Sequence, residues 1–288
     1  MPFGRNIEPS RLISAGFDLL RLLPRLVIVK RPLTFLWHYL RQTSPEYVDL
    51  RSGHRFYFSS HPHDLVSFCL VFMKREYGTV YEGDVVFDIG ANIGSFAIYA
   101  ALSGANKVYS FEPSLEAFRV LTKNIQANQL ESVIIPFNKA VTERSGEAVR
   151  FPSSSSPFNS LAITAVPGSK MHVDRFSGDL HNNALAMAAR SDIDYVDIPT
   201  ISLQDVLVEY NVFFVNFMKM DCEGAEFSIV PSWTEEMFKR IGRIRMECHG
   251  DSAELVNLFR NNGFLIELLK GEDIWLVNRQ LSYTGRTG

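Results

Sequence analysis

Cysteine and excess positive charge are both scarce in this sequence. The 288 residues include three cysteines, Cys69, Cys222 and Cys248, and carry a formal net charge of −3. Three scattered cysteines cannot build a disulfide framework or a zinc ribbon, so we expect them to be small buried apolar residues. The slightly acidic balance argues against a nucleic-acid partner, because such proteins usually carry a basic excess.

Long hydrophobic runs are missing as well. No uninterrupted apolar stretch approaches the ~20 residues that cross a bilayer, and no signal peptide with a small-residue cleavage site is evident. Together with the low cysteine usage, this favours a cytoplasmic location. A chain of this length is sufficient for one large α/β domain with an N-terminal extension.

The first 41 residues are more basic than the rest of the chain. They contain seven arginines and lysines against only Glu8 and Asp18, and apolar residues recur there at near-helical intervals. Pro24 interrupts or kinks any helix in this segment. We expect a helix that packs on the main domain and turns its basic residues to water. The alternative is peripheral contact of residues 1–41 with an anionic membrane surface, which basic amphipathic segments favour.

The most informative stretch covers residues 85–95. An apolar run ends in Asp88, a turn bounded by Gly90 and Gly94 follows, and a helix then begins at Ser95. Such a turn lets a ligand lie against bare backbone at a helix N-terminus. A second apolar run ends in Glu112, 18 residues after Gly94. An acid at the tip of a second strand is placed to bind the hydroxyls of a ribose, so the pair predicts a nucleoside cofactor.

The identity of that cofactor follows from departures in the glycine pattern. A dinucleotide-binding turn has the form Gly-x-Gly-x-x-Gly, but Asn92 stands at its second glycine and Ser95 at its third. The Asn92 side chain would crowd a diphosphate, and Asp88 would repel it while attracting an ammonium group. S-adenosylmethionine has an ammonium, a sulfonium and a ribose but no phosphate, so it is favoured over NAD. The alternative is that Gly90 and Gly94 merely form a turn in an ordinary α/β unit.

Strand and helix patterns alternate through most of the chain, which predicts a parallel sheet with right-handed crossovers. A helical extension and a hairpin around Ser52-Gly53 occupy residues 1–80, and a helix is expected over 63–77. Residues 81–288 form the second domain, with a long insertion at about 152–197 that we expect to select the substrate. A closing hairpin predicts one antiparallel strand. The expected strands are 85–88, 107–111, 133–137, 215–220, 243–248, 264–269 and 274–278, and the expected helices are 95–103, 115–128, 201–209, 231–240 and 253–262.

A second acidic motif, Asp221-Cys222-Glu223-Gly224-Ala225-Glu226, follows the fourth strand of this sheet. Ligands of an open α/β sheet bind at the carboxyl ends of its strands, where Asp88, Glu112, Asp221 and His249 all fall. We therefore expect these four side chains to converge on one edge. Glu226 caps or pairs within the following helix.

His249 is the expected general base, because an imidazole titrates near neutral pH. Glu247 lies two residues before it and shares its side of the strand. An acid of the Asp221/Glu223 pair could take the proton instead, and His249 could merely cap the next helix. Asp221, Glu223 and His249 could also hold a divalent cation such as magnesium. No metal is expected, because nothing fixes three ligands at a recognised spacing.

With these residues in place, the chain resembles the FkbM-type methyltransferases, a class I S-adenosylmethionine-dependent family. The match covers about residues 80–280. Cys222 stands where the family often has an aliphatic residue, and Gln204 where it often has an acid. The matching segments are 87–94 (FDIGANIG), 111–114 (FEPS), 138–141 (NKAV), 201–205 (ISLQD) and 218–226 (MKMDCEGAE).

The resemblance implies a class I methyltransferase fold, α/β and Rossmann-like. Its seven-stranded, mostly parallel sheet has helices on both faces and one antiparallel strand. Asp88, Gly90 and Asn92 would line the methionine and ribose portion of S-adenosylmethionine, Glu112 would hold the ribose, and the Asn138–Ala140 turn would lie near adenine. Gly94, Ser114 and Asp221 complete the implied cofactor site.

The implied reaction is O-methylation of a hydroxyl on a sugar, a glycoconjugate or another small natural product, with His249, Asp221 and Glu223 as the catalytic candidates. Two alternatives stay open: an N- or protein methyltransferase on the same fold, or a scaffold that binds cofactor or membrane without catalysis. Neither the acceptor nor the oligomeric state follows from the sequence.

Overall fold

The computed structural model describes residues 23–41, 43–59, 61, 63–152 and 195–279. The chain divides into two compact units, Met1–Glu76 and Tyr77–Gly288. The domain boundary predicted from the sequence was after residue 80. Most of the predicted insertion at 152–197 and the beginning of the basic segment lie outside the described residues. Among the described helices, none combines the length and apolar character that a membrane crossing demands.

The first unit is built around a cluster of aromatic rings. A 3₁₀-helix, Leu23–Ile28, precedes helix α1, Pro32–Arg41, and a hairpin of β1, Tyr47–Asp49, and β2, Arg55–Tyr57, follows. Helix α2, His63–Phe68, continues as a π-helix, Cys69–Lys74. The Phe68 ring contacts four other rings, those of Phe35, Phe56, Phe58 and Phe72.

The hairpin predicted around Ser52-Gly53 is present, and Gly53 has a positive φ of 95° as such a turn requires. The helix predicted over 63–77 ends earlier, at Lys74. Arg75 takes the left-handed conformation there, with a φ of 56°, which ends the helix.

The second unit contains a seven-stranded sheet. Its strands are β3 (Val85–Ile89), β4 (Lys107–Phe111), β5 (Ile134–Phe137), β9 (Val215–Met220), β10 (Ile241–Glu247), β11 (Phe264–Lys270) and β12 (Asp273–Asn278). They lie in the order β11-β12-β10-β9-β3-β4-β5. Neighbouring strands from β10 to β5 are all parallel, and β12 runs antiparallel to both of its neighbours. The mostly parallel sheet with one antiparallel strand is therefore confirmed.

Helices connect the parallel strands and bury apolar faces against them. The sheet interior is nearly all aliphatic and aromatic, with Phe87, Phe217 and Met218 fully buried, which explains why these strands read as continuous apolar runs. The helices are α3 (Ser95–Leu102), α4 (Leu115–Ala127), α5 (Leu203–Glu209), α6 (Glu226–Ile229), α7 (Glu235–Lys239) and α8 (Ala253–Asn261).

A smaller sheet flanks the insertion. Strand β8, Tyr195–Ile201, pairs in parallel with β6, Ala140–Val141, and antiparallel with β7, Ala148–Pro152. The predicted helix 201–209 therefore begins later than expected. Ile201 belongs to β8, and Ser202 caps α5 by accepting a hydrogen bond from Asp205 N.

The helix predicted over 231–240 is also wrong as a single element. A short 3₁₀-helix, Val230–Ser232, follows α6, and α7 begins only at Glu235. Pro231 lacks a backbone N–H, and Thr234 starts a new helix by accepting a hydrogen bond from Met237 N. Pro231 and the Thr234 cap thus divide the predicted helix into two elements.

Candidate active site

The predicted site residues follow four adjacent parallel strands. Asp88 lies near the end of β3, Glu112 follows β4, Asp221 follows β9, and Glu247 and His249 mark the end of β10. Because parallel neighbours end at the same edge of a sheet, the strand order brings these residues to one edge. What they can do there depends on their contacts.

Gly90 is the point where the first motif meets the second. Its φ of +75° favours glycine, and a Cβ at this position would lie 1.8 Å from the carbonyl oxygen of Asp221. Asp221 N donates a hydrogen bond to Ile89 O at 3.1 Å. Glycine is therefore required at position 90 by the backbone of the second motif.

Gly94 has a different neighbour. Its φ is +89°, and a Cβ there would lie 2.5 Å from Leu121 Cδ1 on helix α4. The missing side chains of Gly90 and Gly94 thus make room for protein atoms. Contact between their backbone and the cofactor stays a prediction.

The backbone N–H groups of the glycine turn are largely used within the protein. Gly90 and Ala91 both donate to Phe111 O, at 3.1 and 3.0 Å. Asn92 N donates to Glu112 Oε2 at 2.7 Å. A phosphate-binding turn points such groups at its ligand. These three donors are turned away from any pyrophosphate, which agrees with a phosphate-free cofactor.

Glu112 is buried and joins the loops that follow β3 and β4. Its Oε2 accepts from Asn92 N at 2.7 Å and its Oε1 from Ser114 N at 2.8 Å. A carboxylate offers about four acceptor sites, so roughly two remain for the hydroxyls of a ribose. Burial raises the pKa of Glu112 to about 7, although these two N–H groups stabilise its charged form.

Ser114 and Asn138 support the loop that carries Glu112. Ser114 Oγ caps helix α4 by accepting from Ala117 N. Asn138 Nδ2 donates to the carbonyl oxygens of Glu112 and Pro113, at 2.9 and 3.0 Å. The Asn138 side chain therefore positions the predicted ribose-binding residue, whereas the Ser114 side chain fixes the start of α4 and its backbone N–H bonds to Glu112.

Ala140 and Asn92, two further predicted cofactor residues, lie in different surroundings. Ala140 is buried on β6 in an apolar cluster with Phe151 and Ile198. Asn92 is half-buried, has a left-handed φ of 49°, and its side-chain amide makes no hydrogen bond within the described part of the chain. The Asn92 amide is therefore available to a ligand, whereas the Ala140 side chain packs inside the protein.

Lys219 is a buried cation that the sequence analysis did not select. Its Nζ donates to Gly90 O at 2.7 Å and lies 3.7 Å from Asp88 Oδ1 and 3.6 Å from Asp221 Oδ2. Asp88 is fully buried, and Lys219 together with the backbone N–H of Ala97 stabilises its charged form. The ammonium group that Asp88 faces is thus that of Lys219. Direct contact between Asp88 and a ligand ammonium would require Lys219 to move.

Tyr77 also contacts this group of residues. Its hydroxyl donates to Asp221 Oδ2 at 3.1 Å, and Lys219 Nζ lies 5.5 Å from the centre of its ring.

A signal for Lys219 was present in the sequence, since a lysine stands between Met218 and Met220 in an otherwise apolar strand. Tyr77 precedes the first motif and shows no comparable pattern.

His249 is buried in a ring of carboxylates. Its Nε2 lies 3.6 Å from Glu223 Oε2 and 3.9 Å from Glu247 Oε1, and its Nδ1 lies 3.5 Å from Glu226 Oε1. Glu226 Oε1 also accepts from Cys222 N at 3.0 Å. Glu226 therefore joins the two ends of the second motif and also faces the histidine. Three carboxyl groups therefore lie around one imidazole.

Glu223 is held in a conformation that few such residues adopt. Its φ is +54°, in the left-handed region, and Gly224 follows with a φ of +98°. A non-glycine residue in this region is uncommon, and such strain concentrates at functional sites. The turn directs the Glu223 carboxylate toward His249, which a regular helix start would not do.

The pKa values of this cluster reflect burial and crowding. Burial raises the pKa of Glu223 to about 8 and that of Glu247 to about 7. Burial opposes charge on His249, but the carboxylates of Glu226 and Glu223 outweigh it and raise the His249 pKa to about 10. His249 is thus protonated at neutral pH, whereas Glu223 and Glu247 exchange protons close to neutrality.

A divalent cation has one candidate site among the described residues. Ligand atoms of Asp221, Glu247 and His249 all lie within 4.8 Å of one another. This set contains Glu247 where the sequence analysis considered Glu223. Oxygen-rich sets of this kind suit magnesium, but Lys219 and Tyr77 already contact Asp221.

These observations define a class of protein. Three features fit a ribose-bearing, phosphate-free cofactor such as S-adenosylmethionine. The buried Glu112 has unused acceptor capacity, the Asn92 amide is available, and the N–H groups of Gly90, Ala91 and Asn92 are bonded within the protein. Combined with the strand order, they define a class I methyltransferase domain of Rossmann-like architecture.

Comparison with known proteins identifies the family. Residues 88–266 match the family model described as Methyltransferase FkbM domain. The chain is 25% identical over 193 residues to the 31-O-demethyl-FK506 methyltransferase FkbM of Streptomyces tacrolimicus, covering 64% of this chain and 74% of the relative. It is 23% identical over 204 residues to the hexuronic acid methyltransferase AglP of Haloferax volcanii, covering 69% and 72%.

A solved structure, methyltransferase FkbM from Methylobacillus flagellatus KT, aligns with a TM-score of 0.44 and 15% identity. The alignment covers 73% of this chain and 47% of that one, so this chain spans about half of its length. On the family match, the chain belongs to the FkbM methyltransferase family, a family of S-adenosylmethionine-dependent enzymes. The expected family, fold and cofactor class are confirmed.

Proposed function

We propose that the protein methylates a hydroxyl oxygen of a sugar, a glycoconjugate or another small natural product. The observation that carries this proposal is the cluster of Glu223, Glu247 and His249 at the second motif. An alcohol must lose its proton as it is methylated and needs a base at that place, whereas a neutral amine attacks through its lone pair. The name of one relative specifies a 31-O-demethyl substrate, which agrees with an oxygen acceptor, and the name of another specifies hexuronic acid, which agrees with a sugar acceptor.

The cofactor residues act by orientation. Glu112 would accept hydrogen bonds from the ribose, the Asn92 amide would contact the same portion, and Asp221 would hold the methionine end. When bound, S-adenosylmethionine supplies a methyl group on a sulfonium, which is already a strong leaving group. The protein mainly aligns the acceptor oxygen with this methyl group, and such alignment can contribute roughly 7–11 kcal/mol.

Glu223 is the proton acceptor that we favour. His249, the first candidate, carries a proton at neutral pH in this arrangement and serves as the charged partner of Glu223, 3.6 Å away. A base works best when its pKa lies near the operating pH, and burial brings Glu223 to this range. Asp221, fixed by Tyr77 and Lys219, orients the turn that presents Glu223.

The test is methyl transfer from a labelled donor to a panel of hydroxyl and amine acceptors that includes hexuronic acids and macrolides with free hydroxyls. Glu223→Gln should lower kcat by about 10²–10⁴-fold, the usual contribution of general acid–base catalysis, with little change in cofactor Kd. His249→Ala should also lower kcat and leave the cofactor Kd nearly unchanged.

Glu235→Gln is the matched control, because Glu235 is an exposed glutamate on α7 of the same unit. Unchanged turnover in Glu223→Gln would exclude the base assignment. Methylation of amines but not hydroxyls would instead establish an N-methyltransferase. Tight cofactor binding with no transfer to any acceptor would favour a non-catalytic scaffold.

A further inference from the structure

Helix α1 exposes a row of large apolar side chains. Leu33 is 81% exposed, Trp37 51% and Leu40 62%. Their spacing of four and three residues places them on one side of the helix, which we call the outer face of α1. Phe35 is 2% exposed and packs against Phe68 on the opposite side, so α1 is held to its unit by one side and presents the other.

Positive charge lies at both ends of α1. Residues 23–41 contain four lysine or arginine residues and no aspartate or glutamate. Lys30 and Arg31 stand just before α1 and Arg41 at its end, and these three side chains are exposed. The Arg41 guanidinium carbon lies 5.2 Å from the centre of the Trp37 ring, so charge and apolar surface adjoin directly.

The combination favours an anionic lipid surface over a protein partner. Leucine side chains can enter the acyl boundary, tryptophan prefers the headgroup level, and lysine and arginine attract anionic phosphates. A second copy of this helix would bring like charges together, because cations lie at both ends of α1 and Asp49, the acid that interacts with Lys30 and Arg31, is already paired with Arg55.

We propose that α1 docks the protein on anionic membrane surfaces, with its axis in the membrane plane and Leu33, Trp37 and Leu40 inserted. The ten residues of α1 extend only about 15 Å, and three inserted side chains give weak, reversible attachment. Binding is therefore expected to fall steeply with salt. This assignment does not depend on the methyl acceptor.

The experiment is co-sedimentation of the full chain with vesicles of phosphatidylcholine alone or mixed with phosphatidylglycerol. Binding is expected only with the anionic vesicles. The double variant Leu33→Ser/Trp37→Ser should weaken partitioning at least tenfold, because it removes most of the inserted apolar area. Lys30→Glu/Arg31→Glu should weaken it by a similar factor and reduce its dependence on salt.

Phe213→Ser is the matched control, because Phe213 is 82% exposed but lies in the second unit. It should bind like the unchanged protein. A second readout is tryptophan fluorescence, which should shift to the blue on anionic vesicles and lose this shift in Trp37→Phe.

Three results would overturn the proposal: no sedimentation with anionic vesicles, equal loss of binding in Phe213→Ser, or unchanged binding in Leu33→Ser/Trp37→Ser. A dimer in solution that the same double variant dissociates would assign the outer face to a second copy instead. Because all four side chains altered in the two double variants are exposed, circular dichroism should show unchanged folding in each variant.

Discussion

Lys219 and Asp88 are direct neighbours on two adjacent parallel strands, and the lysine Nζ lies 3.7 Å from Asp88 Oδ1. Both side chains are buried, and the same Nζ donates to Gly90 O at 2.7 Å. One ammonium group therefore balances the acid of the first motif, approaches Asp221 of the second, and holds the glycine turn between them. The two sequence motifs therefore form one cluster of contacts around Lys219.

Removing this ammonium should destabilise the protein strongly. Lys219→Met leaves Asp88 buried without a counter-charge, and breaking a buried pair in this way typically costs roughly 3–5 kcal/mol. Urea unfolding should show this loss, and Asp88→Asn/Lys219→Met should recover part of it because no unpaired carboxylate remains. Lys239→Met, at an exposed position on α7, should change stability little. A double variant less stable than Lys219→Met would contradict the pairing.

Periodicity alone predicted most of the fold. Alternating strands and helices gave the parallel sheet, and the closing hairpin gave its antiparallel strand, because each pattern reflects burial within a single element. The break in the 231–240 helix was missed because the run from Pro231 to Thr234 was interpreted as the start of a single helix. In the structure Pro231 belongs to a short 3₁₀-helix, and Thr234 caps a separate helix, α7.

The site was less predictable, because its contacts join distant parts of the chain. Strand ends placed Asp88, Glu112, Asp221 and His249 at one edge, since this needs only the strand order. The pairing of Lys219 with Asp88 depends on register between strands that are 131 residues apart, from 88 to 219. Similarly, the close approach of Gly90 to Asp221 is a backbone contact, which the pattern of side chains cannot predict.

Catalysis should not require a metal ion. Lys219 Nζ lies 3.6 Å from Asp221 Oδ2 and already supplies positive charge where a cation would bind. Methyl transfer should therefore be unchanged after treatment with EDTA and unaffected by added magnesium. Electron paramagnetic resonance of added Mn²⁺ offers a direct check. Bound Mn²⁺ that is lost in Glu247→Gln, together with turnover that EDTA removes, would show that Asp221, Glu247 and His249 form a metal site.

Alanine at Gly90 should be far more damaging than alanine at Gly94. Both positions have left-handed φ angles, so either substitution costs about 1–2 kcal/mol in backbone strain. At Gly90 the new Cβ also meets the Asp221 carbonyl oxygen at 1.8 Å, and backbone atoms on both sides must move. At Gly94 it meets the end of the Leu121 side chain, which can rotate. Thermal unfolding and cofactor titration should rank the variants in this order, and equal losses would argue against the backbone contact.

Cofactor affinity should depend on pH through Glu112. Its folded-state pKa is raised from 4.5 to about 7, so the cofactor-free protein loses the stability due to this group as the pH rises from about 4.5 to 7. Ribose hydroxyls donate to the charged carboxylate, so binding favours deprotonation, and affinity should rise with pH up to about 7 and then level off. Below the plateau the cofactor affinity should change by close to tenfold per pH unit, as expected when binding releases one proton.

Calorimetric titration with S-adenosylmethionine across this range would measure the slope. Glu112→Gln should bind weakly and without the pH dependence, since glutamine cannot ionise. Asp88 of the first motif is a second group whose pKa is raised toward this range, to about 6, because of its burial. If the slope persisted in Glu112→Gln but disappeared in Asp88→Asn, the proton would belong to the Asp88–Lys219 pair, and the cofactor would be acting on the ammonium group that joins the two motifs.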